Sequence, residues 1–275
     1  MNAIASVVER CEGESAKRAA RIEAVSVVVP GSVHAQTRAV VNAPNIPAIV
    51  DFGLAAALET KLQRPVLIEN DANAAALGEM WQGAARGCRT IVCLTLGTGV
   101  GSGIILNREL WRGADGTAGE IGHASVHPFG SVRCKCGNIG CLEVYASATG
   151  IVRMTQQALS NHPASQLNSV AAADLTARQV ADAAARGDEL AVEIFRRMGT
   201  YLGIGAANIV NTLNPEMIVI GGGVSAAFDL FAQTAREEMA RRAFPVPAAR
   251  CQIVKAECGD DAGLLGAAWL ALARV

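Results

Sequence analysis

Apolar and polar positions follow two periods along this chain, and the changes of period mark its elements. Ile4, Val7, Val8 and Cys11 fall at i, i+3, i+4 and i+7, the spacing of an amphipathic helix. An apolar run over 24–29, closed by Pro30-Gly31, predicts a buried strand. A helix is predicted after Pro47, with Phe52, Leu54, Leu58 and Leu62 on its apolar side. Residues 65–69 predict a second strand that runs directly into Asn70-Asp71 and an alanine-rich helix over 72–81. Strand and helix alternating in this order predict a right-handed parallel α/β unit.

The pattern changes at Thr90. A strand is predicted over 91–96, a glycine-studded turn from Gly97 to Gly103, and a further apolar run over 104–106. Helices are predicted over 144–160, 176–186 and 188–211. They are followed by a strand over 215–220, a helical segment over 226–242, a strand over 251–256 and a closing helix over 262–274. A domain boundary is therefore expected near residue 90: an N-terminal α/β lobe over 1–90, and a C-terminal α/β lobe over 91–261 holding a cysteine-rich loop at 120–143. The closing segment 262–275 is expected to pack on the first lobe.

Composition narrows the function classes. Of 275 residues 51% are hydrophobic, enough for a sizeable core. With 24 basic and 25 acidic residues the formal net charge is -1, and aromatics are 4%. Neither a basic footprint nor a stacking platform for nucleic acid is present, so no nucleic-acid partner is expected. No apolar run reaches the 18 or so residues of a membrane helix, and the start carries Glu9, Glu12 and Glu14 where a signal peptide has a basic region. Five of the eight cysteines are scattered; Cys134, Cys136 and Cys141 are clustered, which points to a metal in a reducing cytoplasm.

The strongest chemical signal is Glu120-Ile-Gly-His123 followed by Cys134-Lys-Cys136-Gly-Asn-Ile-Gly-Cys141. Three thiolates and an imidazole make a full tetrahedral zinc set, and Gly137 and Gly140 permit the turns that converge them. Four protein ligands leave no position for water, so the zinc is expected to be structural. Incidental thiols beside a surface histidine are the alternative, and His127 is a weak rival to His123 as ligand.

Four further features stay open on the residues alone. Asp71, where a strand ends and a helix begins, either takes a proton from a substrate hydroxyl or caps the helix. Gly97-Thr-Gly-Val-Gly-Ser-Gly103 either brings backbone amides to phosphate or is a flexible hairpin turn; it is neither a dinucleotide fingerprint nor a P-loop. Gly221-Gly222-Gly223 either admits a nucleotide against bare backbone or simply ends a strand. Glu143, two residues past Cys141, is either a ligand group held by the metal turn or a solvated surface acid.

Together these segments resemble the ROK family of repressors, open reading frames and sugar kinases, in order and over essentially the whole chain. Pro30-Gly31 and Asn42-Ala-Pro-Asn45 look like its sugar-side loops, and Glu69-Asn70-Asp71-Ala-Asn-Ala like its catalytic segment. The stretch from Glu120 to Glu143 resembles its zinc signature, and Gly259-Asp-Asp-Ala-Gly263 the start of its last helix. The resemblance implies an actin/hexokinase-like (ribonuclease H-like) α/β fold of two lobes and an ATP-dependent hexose kinase, with glucose as the first substrate to expect. It implies Asp71 as base, and Asn45, Asn70, Asp71, Glu120, His123 and Glu143 on the sugar. Nucleotide contacts are implied at Gly97, Thr98, Gly99, Gly101, Gly221, Gly222 and Gly223. Zinc would sit on His123, Cys134, Cys136 and Cys141, with magnesium accompanying ATP. A cytoplasmic homodimer or dimer of dimers is also implied. The departure lies at the start. Family kinases open with a hairpin carrying a D-x-G-x-T-K-type phosphate motif, and none occurs here. That implies a first lobe truncated at its N-terminus, an open sheet edge and impaired turnover for the chain as written. A sugar sensor, transcriptional regulator or pseudokinase is the alternative reading.

Overall fold

In the computed structural model, which describes residues 1–43 and 46–273, the chain opens with α1 (Asn2–Lys17). This helix buries Ala5 and Val8, while Val7 and Cys11 are exposed, so its contact stripe is narrower than its apolar period suggests. Next come β1 (Val25–Val29), a short antiparallel pair β2 (Ser32–Val33) and β3 (Val40–Asn42), α2 (Leu54–Leu62), β4 (Val66–Asn70) and α3 (Asp71–Gln82). β1 and β4 are parallel, with Val25 opposite Val66 and Val29 opposite Asn70. Their core joins Val29, Val33, Leu54, Leu58, Val66 and Ile68. Among the described residues β1 is paired on one side only, and Val25 to Val28 are half-buried.

The helix expected after Pro47 is a three-residue 3-10 turn, and α2 starts only at Leu54. Val50 bridges Val40 and Asp51 N–H bonds Val40 C=O, drawing the chain straight before Gly53 lets it coil again. Phe52, expected on the apolar face, is consequently exposed.

The larger sheet takes β5 (Ile91–Leu96), β6 (Val100–Leu106) and β7 (Glu109–Leu110) from one antiparallel meander. After α4 (Glu143–Ala146), α5 (Ala148–Ala158), α6 (Ala177–Ala185) and α7 (Glu189–Leu213), it gains β8 (Met217–Gly221). Past α8 (Ala232–Arg242) and α9 (Pro245–Arg250), β9 (Gln252–Lys255) completes it; α10 (Ala262–Leu272) closes the chain. The sheet order is β7-β6-β5-β8-β9, with β5, β8 and β9 parallel. Predicted helices 144–160 and 226–242 each break in two. Ser147 caps α5 through Gly150 N–H, and residues 223–230 wind as a 3-10 helix kinked at Ala227.

Alternate residues of the central strands serve two cores. Val92, Leu94, Leu96, Ile218 and Ile220 face α5 to α8, whereas Ile91, Cys93, Ile105 and Val219 face α3 and α10. Period two explains the split, since successive side chains of a strand point to opposite faces. Burial on both faces is why these strands read as continuous apolar runs.

Helix α3 is the element that positions the site, and it is held on two sides. Gly101 and Gly103 turn the same bare face of β6 to it; a Cβ on Gly103 would stand 2.6 Å from Ala76 Cβ and 2.8 Å from Ala72 O. On the other side Gly266 of α10 lies so close that a Cβ there would be 1.7 Å from Ala74 O. Farther along, the rings of Trp81 and Trp269 pack with centroids 5.7 Å apart, tilted by 40°. At the far end buried Glu79 accepts from Ala84, Glu257 and Cys258 N–H, tying α3 to the segment before α10.

Candidate active site

The strand β4 ends on Glu69-Asn70, and the next residue begins α3. Asn70, not Asp71, carries the cap: its Oδ1 accepts from Ala72 N–H at 2.9 Å and Asn73 N–H at 3.0 Å. Its Nδ2 donates to Gly31 C=O at 3.0 Å and Asp71 Oδ1 at 3.1 Å. Asp71 shares Ala72 N–H through Oδ1, while Oδ2 has no protein partner among the described residues. The carboxylate opens on a small cavity of about 120 Å³ that Ser102, Thr117 and Glu120 also line. Although solvent reaches it, protein surrounds most of it, and that desolvation pushes its pKa above the ordinary aspartate value. Hydrogen bonds from Ala72, its own backbone and Asn70 oppose the shift. A carboxylate with one free oxygen and a raised pKa is suited to accept a proton.

The opposite wall comes from the segment before the cysteine loop. Gly119 C=O accepts from the Ser102 hydroxyl, which brings Glu120 to the cavity beside β6. His123 then turns one ring nitrogen each way: Nε2 lies 3.8 Å from Glu120 Oε2, and Nδ1 3.6 Å from Cys134 Sγ. The donor atoms of His123, Cys134, Cys136 and Cys141 all lie within 4.8 Å of one another, with Cys136 Sγ and Cys141 Sγ 3.6 Å apart. Zinc bonds of about 2.0–2.3 Å in a tetrahedron separate ligands by about 3.5–3.8 Å, so this donor set fits zinc. The turns rest on Gly137 and Gly140, at φ of +95° and +72°. His127 stands apart from the cluster, its Nδ1 3.1 Å from Tyr145 Oη and 3.3 Å from Tyr201 Oη.

Glu143 joins the metal turn to the glycine turn. Its Oε2 accepts from Val100 N–H at 3.0 Å, and its Oε1 lies 3.8 Å from Cys134 Sγ. Behind the same turn opens a larger cavity of about 750 Å³, lined by Gly97, Thr98, Ala181, Phe195, Gly223 and Leu230 among others. One hairpin therefore borders both cavities, with Gly97 and Thr98 on the large one and Gly101 and Ser102 on the small one. Gly99 abuts the Glu143 carboxylate. Gly221 is buried at the end of β8, and Gly222 turns the chain at φ +78° against Leu96. Asn45 lies outside the described residues.

Two partners in this region have no counterpart in the sequence reading. Buried Glu69 receives Arg112 Nε and Nη2, and buried Asn73 donates to Glu69 Oε1 at 2.9 Å. The signal was an acid at the end of the apolar run Val66-Leu-Ile-Glu69. Its partner, 43 residues on, left no pattern to find.

The profile of the ROK family matches residues 1–274. A glucokinase of Halalkalibacterium halodurans is 42% identical over 252 residues, covering 90% of this chain and 75% of that protein. The crystal structure of a ROK family glucokinase from Streptomyces griseus, in complex with glucose and AMPPNP, superposes with a TM-score of 0.81. It is 35% identical, and the match covers 99% of this chain and 87% of that one. A ROK family transcriptional regulator, a homologue of the E. coli MLC protein, superposes at 0.88 with 28% identity over 99% of this chain and 68% of its own. Sequence and architecture agree, and the chain belongs to the ROK family, with its actin/hexokinase-like α/β fold.

Proposed function

We propose that this chain is an ATP-dependent hexose kinase of the glucokinase class, with turnover reduced because no D-x-G-x-T-K-type phosphate motif occurs in the sequence. The observation that carries the reading is Asp71, spared the capping role by its neighbour Asn70 and facing a polar cavity that Glu120 also lines. Asn45, Asn70, Glu120, His123 and Glu143 hold the sugar hydroxyls in this reading. The nucleotide lies in the larger cavity against Gly97, Thr98 and Gly223, with Gly99, Gly101, Gly221 and Gly222 shaping the turns around it. Magnesium enters with ATP as part of the substrate. The sugar hydroxyl oxygen forms a bond to the γ-phosphorus as the bond to the bridging oxygen breaks. ADP leaves, and the hydroxyl proton passes to Asp71 Oδ2. Phosphoryl transfer through a loose transition state needs orientation more than a strong base, which suits a carboxylate. His123, Cys134, Cys136 and Cys141 hold zinc, whose contribution is to fix the loop. Holding the metal would fix the His123 ring, whose Nδ1 faces Cys134 and whose Nε2 faces Glu120. A cytoplasmic homodimer or dimer of dimers belongs to the same reading, and clustered metal-ligand cysteines suit a reducing compartment. Among the described residues no helix is long and apolar enough to cross a membrane.

The likeness to a regulator supports a second reading, a sugar sensor without turnover. Calorimetric titration with glucose, mannose, fructose and N-acetylmannosamine, run beside ADP release with each sugar and ATP, separates the two. Sugar-dependent ADP release carries the kinase reading. Sugar binding without ADP release supports the sensor, and failure to bind any of the four overturns both.

A further inference from the structure

We infer that the ion pair between Glu69 and Arg112 is a positioning device, fixing the spacing between the two walls of the sugar cavity. This rests on the hexose-kinase reading above. Glu69 is the penultimate residue of β4, directly before Asn70-Asp71, and its side chain is 4% exposed. All of its acceptor capacity is spent within the protein. Oε2 receives Arg112 Nε at 2.9 Å and Nη2 at 2.7 Å; Oε1 receives Asn70 N–H at 3.0 Å and Asn73 Nδ2 at 2.9 Å. No lone pair faces a substrate, so Glu69 is not itself a sugar ligand. Its effect passes through Asn70, whose backbone it holds and whose side chain bonds Asp71 Oδ1 and Gly31 C=O.

Arg112 carries the other wall. Its C=O accepts from Ala118 N–H at 3.1 Å, closing a loop that leads straight to Gly119 and Glu120. That loop also touches the first lobe: Ala35 N–H donates to Asp115 C=O at 3.3 Å, and a Cβ on Gly116 would stand 2.0 Å from Val33 O. The guanidinium is therefore the charged link between the strand end that presents Asp71 and the loop that presents Glu120. A fork on a buried carboxylate sets direction as well as distance, and a misplacement of about 1 Å in such a site costs about a hundredfold in rate.

A purely structural ion pair predicts something different, and paired substitutions separate the two. Arg112→Met leaves Glu69 charged, buried and unpaired; adding Glu69→Gln removes that charge and restores neutrality. Melting temperature, glucose affinity by calorimetry, and kcat and KM for glucose are measured on the 275-residue protein and its variants. The expected result is a lowered melting temperature and at least tenfold weaker glucose binding in Arg112→Met. In the double variant the melting temperature returns towards wild type, while the tenfold loss of affinity, or of kcat/KM, persists. Arg112→Lys, which keeps the charge without the fork, should fold and recover only part of the affinity. Should Arg112→Met fail to fold, the double and lysine variants carry the comparison alone. Sugar affinity recovering in step with melting temperature overturns the inference, as does wild-type affinity in Arg112→Lys and the double variant. Failure of the wild-type protein to bind glucose, mannose, fructose or N-acetylmannosamine overturns the kinase reading, and the inference falls with it.

Discussion

Glu143 and Val100 are joined across 43 residues by one hydrogen bond, from the Val100 N–H to Oε2 of the acid. That bond sets the metal turn and the glycine turn in one frame, since Glu143 begins α4 just past Cys141 and Val100 begins β6. The carboxylate reaches the turn because Gly99 leaves room: a Cβ there would lie 2.4 Å from Oε2.

Gly99→Ala should therefore displace the acid rather than unfold the protein. The clash falls on the free end of a flexible side chain, so the melting temperature should change little. A sugar hydroxyl that loses its hydrogen bond to the displaced carboxylate gives up about 1.5–3 kcal/mol, roughly 10–100-fold in affinity. Glucose titration of the variant reads this directly. Unchanged affinity would remove Glu143 from the sugar site.

Asp71→Asn should separate function from stability. Turnover should fall by about 10²–10⁴, the usual worth of a general base, with glucose still bound. Burial raises the folded-state pKa of Asp71 above its unfolded value of about 3.9, so ionisation works against folding. The fold gains most from this group below the unfolded pKa and loses that margin as pH rises through the folded one. At neutral pH the neutral Asn, which keeps an acceptor for Ala72 N–H, should melt no lower than wild type. For the wild-type protein, kcat/KM should fall on the acid side as Asp71 protonates, at a pH above the ordinary aspartate range. A pH–rate profile and paired melting curves check both statements.

The segments around Asp71 and the cysteines were legible because local chemistry specifies them. A strand breaking into Asn-Asp before an alanine run marks a strand-to-helix turn, though not that Asn70 rather than Asp71 caps it, and three cysteines with intervening glycines can converge on one point. The glycine alternation was harder to read. Period two along β6 says that something approaches one face closely, but not what; Gly103 meets the backbone of α3, Gly101 meets Thr95 and the Ala72 side chain, and Gly99 meets Glu143. The same sequence signal thus marks helix packing as well as contact with a carboxylate. Residues 47–53 misled for another reason. Pro47 does start a helical turn, but pairing with Val40 pulls Val50 and Asp51 straight, and that partner is ten residues away. The pairing of Glu69 with Arg112 is longer still in range, and no periodicity encodes it.

Metal content should follow the cluster. Protein purified without chelator should contain roughly one zinc per chain, the stoichiometry of a site with four protein ligands. Stripping it should lower the melting temperature and weaken glucose binding together, because His123 belongs to the cluster and also faces Glu120. Cys136→Ser is the gentlest way to break the set, since that thiol is exposed while Cys134 and Cys141 are buried. A well-folded preparation with no stoichiometric zinc would leave the four side chains without the role assigned to them.

The larger cavity gives a test that leaves the sugar side alone. Ala181 sits half-buried on α6 in its wall, opposite Gly223 and Leu230 of the segment that follows β8. Ala181→Trp projects an indole into about 750 Å³ of mostly apolar space without touching the small cavity beside Asp71. If the adenosine of ATP occupies this space, the variant should bind ATP about tenfold more weakly or worse, a loss of about 1.4 kcal/mol or more. Glucose affinity in the absence of nucleotide should stay at the wild-type value. Both constants come from the same calorimetric experiment. Equal weakening for sugar and nucleotide would indicate a distorted fold, and unchanged ATP affinity would place the nucleotide elsewhere.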